Sequence, residues 1–311
     1  MLNRLFGRNG SEKANLVAIR TSDFWPSLEG EAILDRQGFE DLLQWIREGD
    51  AYWLARVSVD GCEQRRAEEV AELAVDLAIV AIQLSAPALG TSTMARLDAR
   101  RGTSQKRTLS EASGYHNAGW ARKEPGSTIG RGTLEDILRK AAPIIASVGN
   151  LVRSFTSGSF RLPTLERAWC DAAYWLHQAR AESIDTIGIA KLETALEVLL
   201  RSESTRGSEQ RILEILYAFF GLAPEAPINP GSLISARQFA RRIVRDRSRI
   251  LHGTWSTLNA RGLDRVGMEG FVISVVRMAA VEIDAYANSP EPSDDIDEFL
   301  RWMRQRGGAL A

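Results

Sequence analysis

The chain has 311 residues, of which 44% are hydrophobic and 25% charged, and its net charge is −1. That length exceeds the usual single domain, so two domains are expected, and the composition is ample for a packed core. A near-neutral balance excludes a chain-wide polyelectrolyte, so any nucleic-acid surface has to be a local patch. The two cysteines, Cys62 and Cys170, have no metal-ligand spacing and cannot form a framework of bridges, which fits a reducing cytoplasm. The opening MLNRLFGRNGSEK is too short in its apolar part for a secretory signal. The longest apolar stretch, LAVDLAIVAIQL at 73–84, falls short of a span of about 20 residues and carries Asp76 and Gln83. A cytoplasmic protein without a membrane segment is expected.

In chain order, NLVAI (15–19) and AYWLARVSV (51–59) are β-branched or aromatic runs that predict strands. Between them QGFEDLLQWIREGD has the spacing of a helix, with Phe39, Leu42, Leu43 and Ile46 on one side. EQRRAEEVAELAVDLAIVAIQLS (63–85) is polar at its start and then apolar on most sides, which predicts a helix central to an N-terminal domain. From 88 to 132 the chain turns rich in Gly, Ser, Thr and Arg, and short strands joined by turns are expected. Arg96, Arg100, Arg101, Lys106 and Arg107 stand there against one acid, Asp98. They read either as a solvated hairpin or as a grip on a phosphate backbone. His116, in the same stretch, reads as a surface residue.

Helical patterns then dominate: 134–155, with Pro143 expected to bend or divide it, then 165–181, 186–202, 208–222, 235–251 and 268–288. The fold class expected is therefore an α+β N-terminal domain followed by an all-α helical bundle, with the boundary near SGSFRLP (157–163), giving domains 1–160 and 161–311. The role of the first domain is unread, with sensing or RNA binding as its candidates. His177, among Trp169, Tyr174 and Trp175, reads as a satisfied core histidine. The acidic tail EPSDDIDEFLRWM either caps the bundle or contacts a neighbour.

The segment ARQFARRIVRDRSRILHGTW poses the sharpest question. At 100° per residue, Ala240, Ile243, Val244, Ile250 and Leu251 lie within about 60° of Arg247, which puts that charge in mid-stripe. Arg241, Arg242, Arg245 and Arg249 fall on the opposite, solvated or anion-facing side. An arginine in the stripe cannot stay unpaired, since an uncompensated buried charge costs several kcal/mol, so a carboxylate, a subunit interface or a ligand anion must meet it. Gly253 suits the left-handed residue that ends a helix, which would stop the helix at His252. An imidazole and a fixed guanidinium are also a minimal toolkit for cleaving RNA, one moving a proton and the other holding a phosphate. The structural alternative has Arg247 pairing with a buried acid and His252 donating to the last helical carbonyls.

RSRILHG, 247–253, resembles the signature of HEPN domains, an arginine separated by four to six residues from a histidine. The narrower pattern Arg-Ser-x-Ile-x-His-Gly is similar to the version in Apea-like HEPN proteins. KLETALEVLL (191–200) resembles the helix that precedes the signature in that group, and the resemblance covers about 161–288. It implies a helical bundle that usually forms a homodimer, with the arginine and histidine of two copies facing one cleft. For many members it implies metal-independent endoribonuclease activity, often in toxin or antiphage systems, with an antitoxin or defence-system partner and no cofactor. Carried over, Arg247 is the phosphate-binding arginine and His252 the catalytic histidine. Ser248 fills the polar position after the arginine, Glu197 matches the upstream glutamate, and Arg249 flanks the motif. Arg242, Arg245, Arg100, Arg101, Lys106 and Arg107 are the candidate RNA-binding residues. The alternative implied by other members is a non-catalytic module that binds nucleotide, RNA or a protein partner.

Overall fold

The computed structural model of the chain describes residues 16–20, 37, 41, 44, 53–59, 61–87, 91–96, 104–123, 131–202, 205–254 and 264–307. The first two apolar runs form the strands expected of them. β1 (Leu16–Arg20) pairs antiparallel with β2 (Trp53–Val57), Leu16 opposite Val57 and Arg20 opposite Trp53. The helix expected between them lies largely outside the described residues, although Gln37, Asp41 and Gln44 are helical. α1 (Gln64–Ser85) is exposed through most of its first turns and buries Ala74, Leu77, Val80, Ala81 and Leu84 further on, as its shift from polar to apolar dictates.

By its internal contacts the chain divides into two compact units, Met1–Val75 and Asp76–Ala311. This division falls inside α1 and differs from the 1–160 and 161–311 domains that composition suggests. Composition changes near 160, but helices on both sides of that point pack on each other, as described next for the second unit.

The turn-rich segment forms one long hairpin in its described part, where several short strands were expected. β3 (Ser104–Ala112) pairs with β4 (Tyr115–Lys123) from Ser104 opposite Lys123 to Ala112 opposite Tyr115. Ser113 and Gly114, at φ 53° and 77°, supply the left-handed pair that a two-residue hairpin turn requires. Lys106 and Arg107 fall on β3 opposite Ala121 and Trp120, whereas Arg100 and Arg101 lie outside the described residues. His116 is exposed, opposite Glu111.

Eight helices follow among the described residues: α2 (Arg131–Lys140), α3 (Ala142–Ser157), α4 (Pro163–Arg180), α5 (Asp185–Leu200), α6 (Thr205–Phe220), α7 (Ala236–Leu251), α8 (Arg265–Ala287) and α9 (Ile296–Gly307). Pro143 divides α2 from α3 by sitting in the first turn of α3, where its missing N–H has no helical partner to lose. α4 packs along α5, α8 crosses α3, α4 and α5, α7 lies on α5 and α6, and α9 lies on α6. Trp169 is fully buried at the centre and its indole N–H donates to the Val276 carbonyl at 2.9 Å. The acidic tail belongs to this bundle. Phe299 and Leu300 are buried, and the Asp294 carboxylate accepts from the Thr164 and Leu165 N–H groups at 2.7 and 3.0 Å, capping the start of α4. Among the described residues no helix is long and apolar enough to cross a membrane.

Candidate functional site

α7 carries the motif, and its own sequence sets both ends. At the start the Ser235 hydroxyl accepts from the Gln238 N–H at 3.2 Å, and the Gln238 side chain accepts from the Ser235 N–H at 3.0 Å, a reciprocal capping box. At the end His252 is the C-cap and Gly253 turns left-handed at φ 67°. The Gly253 N–H then donates to Ile250 O at 3.2 Å and the Thr254 N–H to Arg249 O at 3.0 Å, which satisfies carbonyls the helix would leave open. The stop at His252–Gly253 is the one the sequence predicts.

Ala236, Ala240, Ile243 and Val244 are buried as the stripe requires, but its last turn is not, and Leu251 is 58% exposed. Arg247 sits at the transition, with 28% of its side chain exposed. Two acids of α5, one helical turn apart, meet it: Glu197 Oε2 lies 2.8 Å from Arg247 Nη2, and Glu193 Oε2 lies 3.1 Å from Arg247 Nε. Of the partners open to Arg247 at the sequence level, a carboxylate of the same chain is present, and there are two. Glu197, a candidate by resemblance, also accepts from the Ser208 hydroxyl of α6 at 3.0 Å, and Ser202 lies 3.0 Å from Ser208.

Glu193 and Glu197 form an i, i+4 acidic pair, a spacing that reads either as a solvated helix face or as a pair in which Glu197 positions Arg247 and both acids line the rim of a cleft, and Glu193 is fully buried. Its contact with Arg247 is an ion pair without a hydrogen bond, because the Nε–H is not aligned with the oxygen, and neither Glu193 oxygen has a donor. Burial pushes its carboxyl up to about 8 and the neighbouring Glu197 carboxylate adds to this, against the opposing pull of Arg247.

His252 is exposed at the helix end, and its backbone N–H donates to Ser248 O at 3.0 Å. No hydrogen bond joins its ring to Arg247 among the described residues. The remaining arginines lie on the other side of α7, as their angles dictate. Arg241 pairs with Glu209 at 2.8 Å, while Arg242 and Arg245 approach the buried Asp246 at 3.6 and 3.4 Å. With Ser248 and Arg249 they line an open groove of about 850 Å³. Arg242, Arg245, Ser248 and Arg249 are thus brought together, and Arg247 is not among them. Asp246 also borders a separate cavity of about 620 Å³ walled by Phe220, Phe239 and Phe271. The run of arginines gives no sign that the aspartate among them is buried.

A second buried polar cluster involves His177. Its Nδ1 lies 3.2 Å from Gln83 Oε1 and its Nε2 lies 3.8 Å from Asp76, the satisfied core histidine expected there. Beside it Arg180 donates from Nε to Glu269 at 2.9 Å, from Nη1 to Thr91 Oγ1 at 3.2 Å and from Nη2 to the Pro87 carbonyl at 3.1 Å. Among the described residues no group of three or more His, Cys, Asp or Glu side chains is placed to hold a metal ion. Compared with known proteins, the chain matches no family model, no curated protein and no solved structure, so a functional reading stands on these residues and their geometry.

Proposed function

We propose that this protein is a metal-independent endoribonuclease of the HEPN type, with its C-terminal helices forming a HEPN-like bundle. The observation that carries the proposal is Arg247, a partly exposed guanidinium held by two carboxylates within the α7 turn that ends on an exposed His252. His252 takes the proton of a ribose 2′-OH as that oxygen attacks the adjacent phosphate. Arg247 stabilises the charge that gathers on the phosphate oxygens. The P–O5′ bond breaks, leaving a 2′,3′-cyclic phosphate and, once the departing oxygen takes up a proton, a 5′-OH. The basic groove along α7 offers Arg242, Arg245 and Arg249 to the phosphate backbone, with Ser248 beside them. DNA is not a substrate, since it lacks the 2′-OH. In the same proposal two copies associate through the C-terminal half and face their motifs towards one cleft, and the protein acts as a toxin or antiphage effector.

Purified protein is expected to cleave single-stranded RNA in excess EDTA, leaving 2′,3′-cyclic phosphate ends. His252→Ala is expected to lower the rate about 100-fold or more while melting at the same temperature as the parent. Cleavage that depends on added divalent metal, or that survives in His252→Ala, overturns the proposal. A second reading has its own support. Arg247 already has carboxylate partners, as in a structural ion pair, and this favours a non-catalytic module that binds RNA, nucleotide or a protein partner along α7. RNA binding with no cleavage at any pH would select it.

A further inference from the structure

Three charged groups meet between α5 and α7: the carboxylates of Glu193 and Glu197 and the guanidinium of Arg247. One cation cannot neutralise two anions, and the inner anion is fully buried with no donor to either oxygen. An ionised carboxylate in that position loses its hydration and gains no hydrogen bond in return. A proton between the two acids removes both defects, since it cancels the surplus charge and supplies the missing donor. The charged groups acting on Glu193 are Glu197 of its own helix and Arg247 of α7. On the α6 side the neutral Ser208 hydroxyl engages Glu197.

We infer that Glu193 and Glu197 share one proton, and that Glu193 is a positioning residue whose protonation decides whether Arg247 is free to engage a phosphate. With Glu193 neutral, a single carboxylate, that of Glu197, holds Arg247, and the exposed part of its guanidinium can contact an incoming phosphate. With Glu193 ionised, two carboxylates claim the guanidinium and hold it against α5. The local charge turns negative, and a phosphate is repelled where it was attracted. The raised carboxyl of Glu193 agrees with this arrangement and places the change at about pH 8. The RNA arm of the inference rests on the ribonuclease reading above, whereas the shared proton does not.

The test uses the full chain in two measurements. The first follows the glutamate side-chain carboxyl carbons by NMR through a pH titration, with Glu193→Gln assigning the resonance. A Glu193 carboxyl that keeps a proton to near pH 8 supports the shared proton, and one that titrates in the ordinary carboxylate range overturns it. The second follows binding of a fluorescent 2′-O-methyl RNA oligonucleotide, which cannot be cleaved. Between pH 7 and pH 9 parental affinity is expected to fall about tenfold, as the protonated fraction falls, and Glu193→Gln is expected to remove most of that fall. An equal alkaline loss in Glu193→Gln overturns the positioning role. If that variant fails to fold, the parental carboxyl titration still decides the proton. If the parent neither binds nor cleaves RNA at any pH, the ribonuclease reading and the RNA arm fail, while a high Glu193 titration keeps the shared proton.

Discussion

Arg180 and Arg247 each leave a bundle helix to meet an acid, yet their surroundings are built on different terms. Arg180 has 3% of its side chain exposed, and all three of its guanidinium nitrogens donate, to one carboxylate, one hydroxyl and two backbone carbonyls. The Arg265 guanidinium stands 3.9 Å from the same carboxylate, so no anion is in surplus there, and neutral dipoles take up the remaining Arg180 donors. Arg247 is 28% exposed, leaves its Nε–H without a hydrogen bond and faces two acids. A fully satisfied buried network fixes one geometry and contributes to the fold. A network with surplus charge and an unused donor can change state when a proton or an anion arrives. The contrast makes Arg180 part of the architecture and Arg247 the place to look for chemistry.

The largest effect is expected where the network is complete. Arg180→Met leaves the Thr91 hydroxyl and two carbonyls without that donor and the Glu269 carboxylate with the more distant Arg265, and about 3–5 kcal/mol of stability is expected to be lost in urea unfolding. A loss below about 1 kcal/mol would break the contrast. Arg247→Met is expected to cost less, about 1–2 kcal/mol, because a proton on Glu193 already relieves the surplus charge and Glu197 keeps Ser208. The same substitution is expected to abolish RNA cleavage, and a cost equal to that of Arg180→Met would make Arg247 structural. The smallest effect, taken per pH unit, is graded with pH. Glu193 holds its proton to about 8 when folded and releases it near 4.5 when unfolded, so its contribution is fully present below about 4.5 and is lost as pH rises through about 8. Relative to Glu193→Gln, the parent should lose up to about 1.4 kcal/mol per pH unit inside that window. Parallel stability curves for the two proteins would contradict the buried proton.

Local features of this chain were readable because their causes are local. Pro143 divides two helices and Gly253 stops α7, each through a backbone preference that acts within a few residues. The stripe of α7 follows the same logic, and it foretold that Arg247 needs a partner. Which partner was settled by how α5 lies against α7, and periodicity has no access to that. Glu193 and Glu197 have the spacing of an ordinary solvated pair, and only the crossing of two helices about fifty residues apart buries one of them. Asp246 was hidden for a related reason, since a run of arginines draws a helix face as solvent-exposed while one member of the run turns inward. The division at Val75 was unreadable because composition records local preference, and the packing that joins α3 to α8 spans more than a hundred residues. The fold class therefore came from pattern, and the candidate site needed three dimensions.

The cap that Asp294 places on α4 also has a consequence in time. A ribosome releases Thr164 and Leu165 long before it reaches Asp294, 130 residues further on from Thr164. Until then the first turn of α4 exposes N–H groups that only water can satisfy, and the central Trp169 waits for Val276, 107 residues downstream. The bundle cannot close by adding helices in order of synthesis, because α4 is finished by a segment that follows α8. Nascent chains halted before residue 294 should stay open to proteases and chaperones along α4, and protection should arrive in one late step when the tail docks.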